Sequence, residues 1–336
     1  MTVGHSLRSA ARLRVAAVAA LSVASLALTS CGSDSDGGGG GGDGEQATTI
    51  RIAPQPIADF APIWLGMEEG FFEDEGLTIE LVEGGATSAA QVPLLLSDNA
   101  DLAATTATAA IQAQSQSMAV TIVGGLTNFA ETDETDQSGL VVAEDSSIAG
   151  FEDLEGKKVA ISGLKSVSEA VISAAVEESG GSADEVEFIQ APMPNLADLV
   201  SSGGADAAFL IDPFLSMATS SGLKVLGHPF PLAAPGVPGT SLVGSVSFVK
   251  QNPETMEKFA SALEKAAAYA NENPEKVTAA LSEQAKIPLE MLADSKNPTY
   301  TAVVDPGALT TLIELLVEYG VLEDSVDADD MLTSTE

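Results

Sequence analysis

Apolar positions in this chain alternate between short β-branched runs and longer stretches of helical period. The pattern is clearest over residues 50–82. Two runs, 50–53 and 77–82, are each long enough for one strand. Between them, 61–71 reads as a helix opened by Pro62 and closed near Gly70 and Gly76. Strand, helix and strand make a βαβ unit, which implies a parallel sheet covered by helices. The turn at 54–60 then lies at the carboxyl edge of that sheet, where open α/β sheets bind ligands.

The alternation continues with strands predicted over 101–104 and 120–125, a helix over 89–96, and a second helix that 105–108 leads into and that runs to about Gln116. Residues 126–138 have no period and are acidic, so they read as a crossing to a second domain. That domain shows strands at 140–143, 157–161, 186–190, 207–211 and 223–226, with helices at 151–154, 168–179, 197–202 and 214–221. The Pro- and Gly-rich stretch 229–239 reads as the return linker, and 245–249 as one more strand. Helices are predicted over 253–273, 274–283, 288–293 and 306–319, each with Pro in its first turn. The chain thus reads as two α/β domains, 48–130 with 240–336 and 131–239. Two crossings form a hinge, and the cleft between the domains is the expected ligand site.

The amino-terminal thirty residues fall outside this pattern. Arg8, Arg12 and Arg14 precede an apolar segment, 15–28, that is too short to span a bilayer comfortably. It ends in Leu28-Thr29-Ser30-Cys31, which resembles the lipobox of bacterial lipoproteins. The resemblance implies a signal peptide over 1–30 and a diacylated Cys31. Residues 31–47, mostly Gly, Ser and Asp, read as a flexible tether. Cys31 is the only cysteine, so the body has no disulfide, no Cys-based metal site and no thiol nucleophile.

Net charge narrows the classes of partner. At −35 over 336 residues, the chain repels phosphate backbones, which argues against nucleic acid. Arg51 is the only arginine of the body and sits inside a strand, so a bidentate clamp on a sulfonate or carboxylate is not expected. His228 is the one histidine after the signal segment and lies in a loop. No HExxH, GxSxG or phosphate-loop string occurs, and no cofactor or metal is expected.

Candidate contacts follow from the turns at strand ends. In the first domain Asp59 either caps the next helix or meets ligand, and Phe60 and Trp64 are either core or an aromatic platform. Thr87, Ser88, Thr105 and Thr106 occupy the next two turns and cap helices or face the cleft. Asn128 and Phe129 lie in the first crossing. In the second domain Ser162, Lys165 and Ser166 precede a helix whose amino terminus suits a polar or anionic group. Asn195, Asp212 and Phe214 sit at further turns of the same kind.

Three motifs carry a wider resemblance. They are Ala61-Pro62-Ile63-Trp64-Leu65-Gly66 with Glu69-Gly70-Phe71-Phe72-Glu73-Asp74-Glu75-Gly76-Leu77-Thr78-Ile79, then Asp153-Leu154-Glu155-Gly156-Lys157-Lys158-Val159-Ala160. The third is Asp206-Ala207-Ala208-Phe209-Leu210-Ile211-Asp212-Pro213-Phe214. In this order they resemble the substrate-binding lipoproteins of ABC importers in the nitrate, sulfonate, taurine and thiamine-precursor group. Asp212 stands where that family usually has Glu, and Asn99-Ala100-Asp101 stands where Gly-x-x-Asp is usual. The resemblance implies a type II periplasmic-binding fold and a monomeric, non-enzymatic protein. Such a protein captures a small polar or heteroaromatic solute on the outer face of the membrane and delivers it to a permease coupled to a cytoplasmic ATPase. It also implies that the turn holding Asp212 faces the cleft. Two alternatives remain: an enzyme on the same fold, similar to thiamine-precursor synthases, and a ligand sensor that docks on a membrane receptor.

Overall fold

The computed structural model describes residues 47–85 and 87–333. The predicted signal peptide, nearly all of the tether, and Cys31 lie outside the described residues. The body opens with β1 (Thr48–Ala53), α1 (Ala61–Glu68), α2 (Phe71–Asp74) and β2 (Leu77–Leu81). β1 and β2 pair in parallel, with Ile50 opposite Ile79, as the βαβ pattern requires. The helix expected over 61–71 is two helices. Gly70 adopts φ 78°, a left-handed conformation that ordinary side chains resist, and it turns the chain between them.

The unit continues with α3 (Ser88–Leu96), β3 (Leu102–Thr106), α4 (Ala107–Ser115) and β4 (Val120–Gly125). The chain then crosses, adding the two-residue β5 (Thr127–Asn128) on the way. A second group follows: β6 (Ser138–Ala143), β7 (Lys158–Ile161), α5 (Val167–Glu178), β8 (Glu187–Gln190), α6 (Leu196–Ser201), β9 (Ala207–Ile211), α7 (Phe214–Ser220) and β10 (Leu223–Gly227). The helix expected at 151–154 is a 3-10 turn, Phe151–Leu154. These strands form their own five-stranded sheet in the order β10-β6-β9-β7-β8.

The return differs from expectation in two places. Part of the stretch read as a linker is a helix, α8 (Pro229–Ala233). The strand expected at 245–249 lies earlier, as β11 (Thr240–Ser245), and Val246–Gln251 is helix α9. Ser245 ends the strand and caps the helix, its Oγ accepting from the Phe248 N–H at 3.2 Å. Residues 240–244, rich in Gly and hydroxyl side chains, carry no strand pattern of their own. Every residue of β11 is nevertheless buried, because it inserts between β3 and β4 to give the order β2-β1-β3-β11-β4. Gly244 is small for that reason: a Cβ there would lie 3.0 Å from Val249 and 3.1 Å from Leu102.

The carboxyl-terminal part is α10 (Pro253–Glu272), α11 (Pro274–Ala285), β12 (Thr299–Tyr300), α12 (Pro306–Glu318) and α13 (Ala328–Met331). Residues 288–293, expected to be helical, hold only the 3-10 turn Leu289–Met291. α1 packs on α10, burying Ile63, Leu65, Phe259 and Leu263 against one face of the first sheet. α6 and α7 cover one face of the second sheet through Leu196, Val200 and Leu215. A third cluster runs from α4 through Leu309, Leu312 and Leu316 of α12 to α5 and Phe209. α12 therefore packs against helices of both sheets. Among the described residues no helix is long and apolar enough to cross a membrane.

Candidate functional site

Strand direction brings two sheet edges to the same region. β1, β2, β3 and β4 run one way, since β11 is antiparallel to both β3 and β4. Their carboxyl ends lead into 54–60, 82–85, Ala107 and Leu126. In the second sheet β7, β8, β9 and β10 share a direction opposite to β6, and their carboxyl ends lead into Ser162, Ala191, Asp212 and His228. Both crossings, 126–137 and 228–239, run from one edge to the other.

Asp59 ties those crossings together. It lies on the 3-10 turn Ala58–Phe60 that follows β1. Its Oδ2 accepts from Thr127 Oγ1 at 3.0 Å and from Thr240 Oγ1 at 2.5 Å. Thr127 belongs to the outgoing crossing and Thr240 to the end of the return. The two threonines also bond each other, Thr240 N–H donating to Thr127 Oγ1 at 3.1 Å. Burial pushes the Asp59 carboxyl up from its ordinary value, against the opposing effect of the bonds from Thr240 and Thr127. Nearby, the Tyr300 hydroxyl donates to the Ala58 carbonyl at 3.0 Å, and β12 pairs with β5. The sequence left Asp59 between helix cap and ligand contact; its Oδ2 instead fastens the crossings.

A second tie lies toward the other sheet. His228 Nδ1 is 2.6 Å from the Ser138 carbonyl and 3.7 Å from Asp136 Oδ2. Asp136, with those of the Ser138 carbonyl and Asp133, raises the imidazole pKa against the lowering effect of burial. Phe129 of the first crossing stacks on Phe230 of α8, with ring centroids 3.5 Å apart.

Asp212 is the expected contact that lines a crevice between the two sheet edges. The crevice is bounded by Ala58, Thr278, Leu281, Leu292 and 295–297 on one side and by Gln137, Asp212 and Pro213 on the other. It encloses about 10 Å³, near the least that admits a single water. Asp212 Oδ1 accepts from the Ser216 N–H at 2.9 Å, and Oδ2 from the Lys296 N–H at 2.7 Å. Lys296, Ser295, Asn297 and Gln137 were not singled out from the sequence. Nothing local marks them, since they are polar residues of loops far from Asp212 in the chain.

The other expected contacts divide. Phe60 and Trp64 are core: Phe60 is fully buried, Trp64 is 8% exposed, and their rings meet edge to face at 5.4 Å. They form no platform, because α1 turns them under the sheet toward α10. Thr105 is also buried, its hydroxyl donating to the Ser88 carbonyl at 2.8 Å, so it does not face the crevice. Thr87 and Thr106 cap α3 and α4. Ser88 Oγ accepts from Gln55 Nε2 at 2.9 Å. The glycines beside these turns serve close packing of the protein on itself: a Cβ on Gly84 would lie 2.4 Å from the Pro54 carbonyl. Gln91, fully buried, bonds the Gly85 N–H and the Pro54 carbonyl and so joins two turns.

In the second sheet Ser166 caps α5, accepting from the Glu169 N–H at 3.5 Å, and Glu169 Oε2 accepts from the Lys165 N–H at 2.7 Å. The arrangement resembles a capping box, with the Glu169 carboxylate reaching the N–H one residue before the N-cap. It sets a carboxylate at the helix end read from the sequence as suiting a polar or anionic group, and Ser162, Lys165 and Asn195 are exposed. Asn128 Oδ1 is buried without a partner in the first crossing. Phe214 is half-buried against Leu215 and its neighbours.

Comparison with known proteins covers most of the body. A family model described as NMT1/THI5 like matches residues 57–277. The chain is 25% identical over 248 residues to YtlA of Bacillus subtilis (strain 168), described as a candidate binding protein, covering 71% of this chain and 72% of that one. Among solved structures, the periplasmic aliphatic sulphonate binding protein SsuA from Escherichia coli superposes with a TM-score of 0.72 at 20% identity, over 85% of this chain and 97% of its own. The periplasmic nitrate-binding protein NrtA from Synechocystis PCC 6803 gives 0.64 at 16% identity, over 84% of each chain. At these identities the likeness defines the fold, which is that of periplasmic binding proteins.

Proposed function

Since this chain belongs to the NMT1/THI5-like family, we propose that it is an extracytoplasmic solute-binding protein of an ABC importer. It captures a small molecule between 48–130 with 240–336 and 131–239, closes about the two crossings, and presents the loaded form to a permease. It acts as a monomer and does not turn the solute over. The observation that carries this reading is the meeting of both carboxyl sheet edges over one crevice, with both crossings running between them. A crevice near the size of one water admits a solute only if its walls part, and closure is then driven by contacts the solute makes to both walls.

The solute is a neutral or heteroaromatic molecule with N–H or O–H donors. Asp212 supplies an acceptor, no arginine lines the crevice, and Glu169 occupies the α5 amino terminus against an anion. Native mass spectrometry of freshly purified protein is expected to show a bound small molecule of that kind. A sulfonate or nitrate adduct would overturn the solute class. Catalytic conversion of the bound molecule would overturn the binding role.

Attachment to the membrane is through a lipid on Cys31, with the body held on the outer face by the tether. Cys31→Ser is expected to move the protein from the membrane to the soluble fraction. Continued tight attachment of that variant would contradict a lipid anchor.

A further inference from the structure

The segment 288–297 lies beyond the part of the chain that matches the family model, and it is not an inert loop. Its flanks are fixed to the first sheet's side of the molecule. α11 precedes it and packs on α1, Asn297 Nδ2 donates to the Pro274 carbonyl at 3.1 Å, and β12 follows in register with β5. Its middle reaches the other side at three points. The Lys296 N–H donates to Asp212 Oδ2 at 2.7 Å, and Lys296 Nζ to the Asp133 carbonyl of the first crossing at 3.3 Å. Ser216 Oγ stands 2.9 Å from the Asp294 carbonyl and 2.7 Å from Asp212 Oδ1, so its single proton serves one of them at a time. Ser295 Oγ, on the crevice wall, is buried without a partner. Asp212 and Ser216 stand at the end of β9 and in α7, both of the second sheet's group. The Lys296 N–H bond to Asp212 and the Ser216 Oγ contact with the Asp294 carbonyl therefore cross the crevice, and Lys296 Nζ reaches the crossing beside it.

We propose that 288–297 is a latch that holds the crevice shut without solute, with Asp212 as its catch. The inference takes the solute-binding reading as its frame. A bond from a backbone N–H to a carboxylate is charge-assisted and stronger than a neutral one. It is also easily exchanged, because a solute donor of the same geometry can replace it. The latch thus sets a threshold: the walls part only when Lys296 leaves Asp212, and a solute donor then takes its place.

The test is made on the full chain carrying Cys31→Ser and spin labels at Thr78→Cys, on β2, and Asp184→Cys, on the 3-10 turn before β8, both exposed. Bound solute is first removed by dialysis. Pulsed electron resonance is expected to give one narrow distance distribution for this protein. Ser216→Ala and Lys296→Pro, which remove donors from the latch, should each broaden it and move it outward. Unchanged distributions in both folded variants overturn the latch. If Lys296→Pro does not fold, hydrogen exchange of the parent protein decides. The Lys296 amide is expected to be protected and to lose protection in Ser216→Ala, whereas exchange at the rate of exposed loop amides overturns the proposal. Neither readout uses solute. A latched protein that binds no small molecule would sink the solute reading alone, and a solute-loaded protein with free lobes would sink the latch alone.

Discussion

Replacing Asp59 with alanine is expected to lower the unfolding free energy by about 2–4 kcal/mol. The change deletes one acceptor but strands two donors. Thr127 and Thr240 are each 2% exposed, and both direct their hydroxyls at Asp59 Oδ2. Each stranded donor costs about 1–3 kcal/mol, partly offset because the buried carboxylate no longer has to be desolvated. Both crossings lose their common anchor, so solute affinity should fall as well. Urea unfolding, read as a fall in midpoint at constant slope, measures the effect. A midpoint unchanged from the parent would remove Asp59 from the hinge.

Asp59→Asn separates shape from charge. The amide oxygen still accepts from both threonines, so the loss in stability at acid pH should be small. The pH dependence then has a definite sign. Burial raises the folded-state pKa of Asp59 above its unfolded value. Its contribution to stability is therefore fully present below the unfolded pKa and declines as pH rises through the folded one. Asparagine does not titrate, so stability of the variant relative to the parent should rise across that window and then level off. A relative stability independent of pH would show that Asp59 has the same pKa folded and unfolded.

Asp212→Ala is expected to weaken solute binding about 10–100-fold, the loss of one charge-assisted hydrogen bond of about 1.5–3 kcal/mol. From sequence alone this change should leave stability nearly untouched. The structure alters that expectation, because Asp212 also holds the Ser216 N–H at the start of α7 and the Lys296 N–H of the latch. A parallel loss of stability of about 1 kcal/mol, the usual worth of a helix-end cap, should accompany the loss of affinity. Asp212→Asn keeps an acceptor and loses the charge, so it should fall between the two. Calorimetric titration with the recovered solute gives the affinities. Equal affinities for all three proteins would place Asp212 outside the site.

Much of the scaffold was legible from local pattern. β4 and β9 begin and end where the apolar runs do, and the helices opened by Pro253, Pro274 and Pro306 start as expected. Periodicity reports which face of an element is buried, and that depends on residues a few positions apart. Proline and hydroxyl caps act within one turn, so they too are written locally. The return of the chain to its first sheet near 240 was legible for the same reason, as a change in pattern.

The site was less legible because it is made of partners far apart in the chain. The sequence marked 59 and 212 as turn residues at strand ends and named Asp212 through a family motif. Only the fold decided that Asp59 would meet Thr240, 181 residues away, and that Asp212 would meet Lys296, 84 residues on. It also decided that Phe60 and Trp64 would be core, since nothing in a lone aromatic says which neighbour will cover it. The strand at 240–245 makes the point from the other side. Its small and hydroxyl residues carry no strand period, and it is a strand because β3 and β4 leave room for one between them. Local periodicity therefore determined the elements and their order. Tertiary placement decided which of their ends would face each other, which polar groups would be consumed as structure, and which would line the crevice.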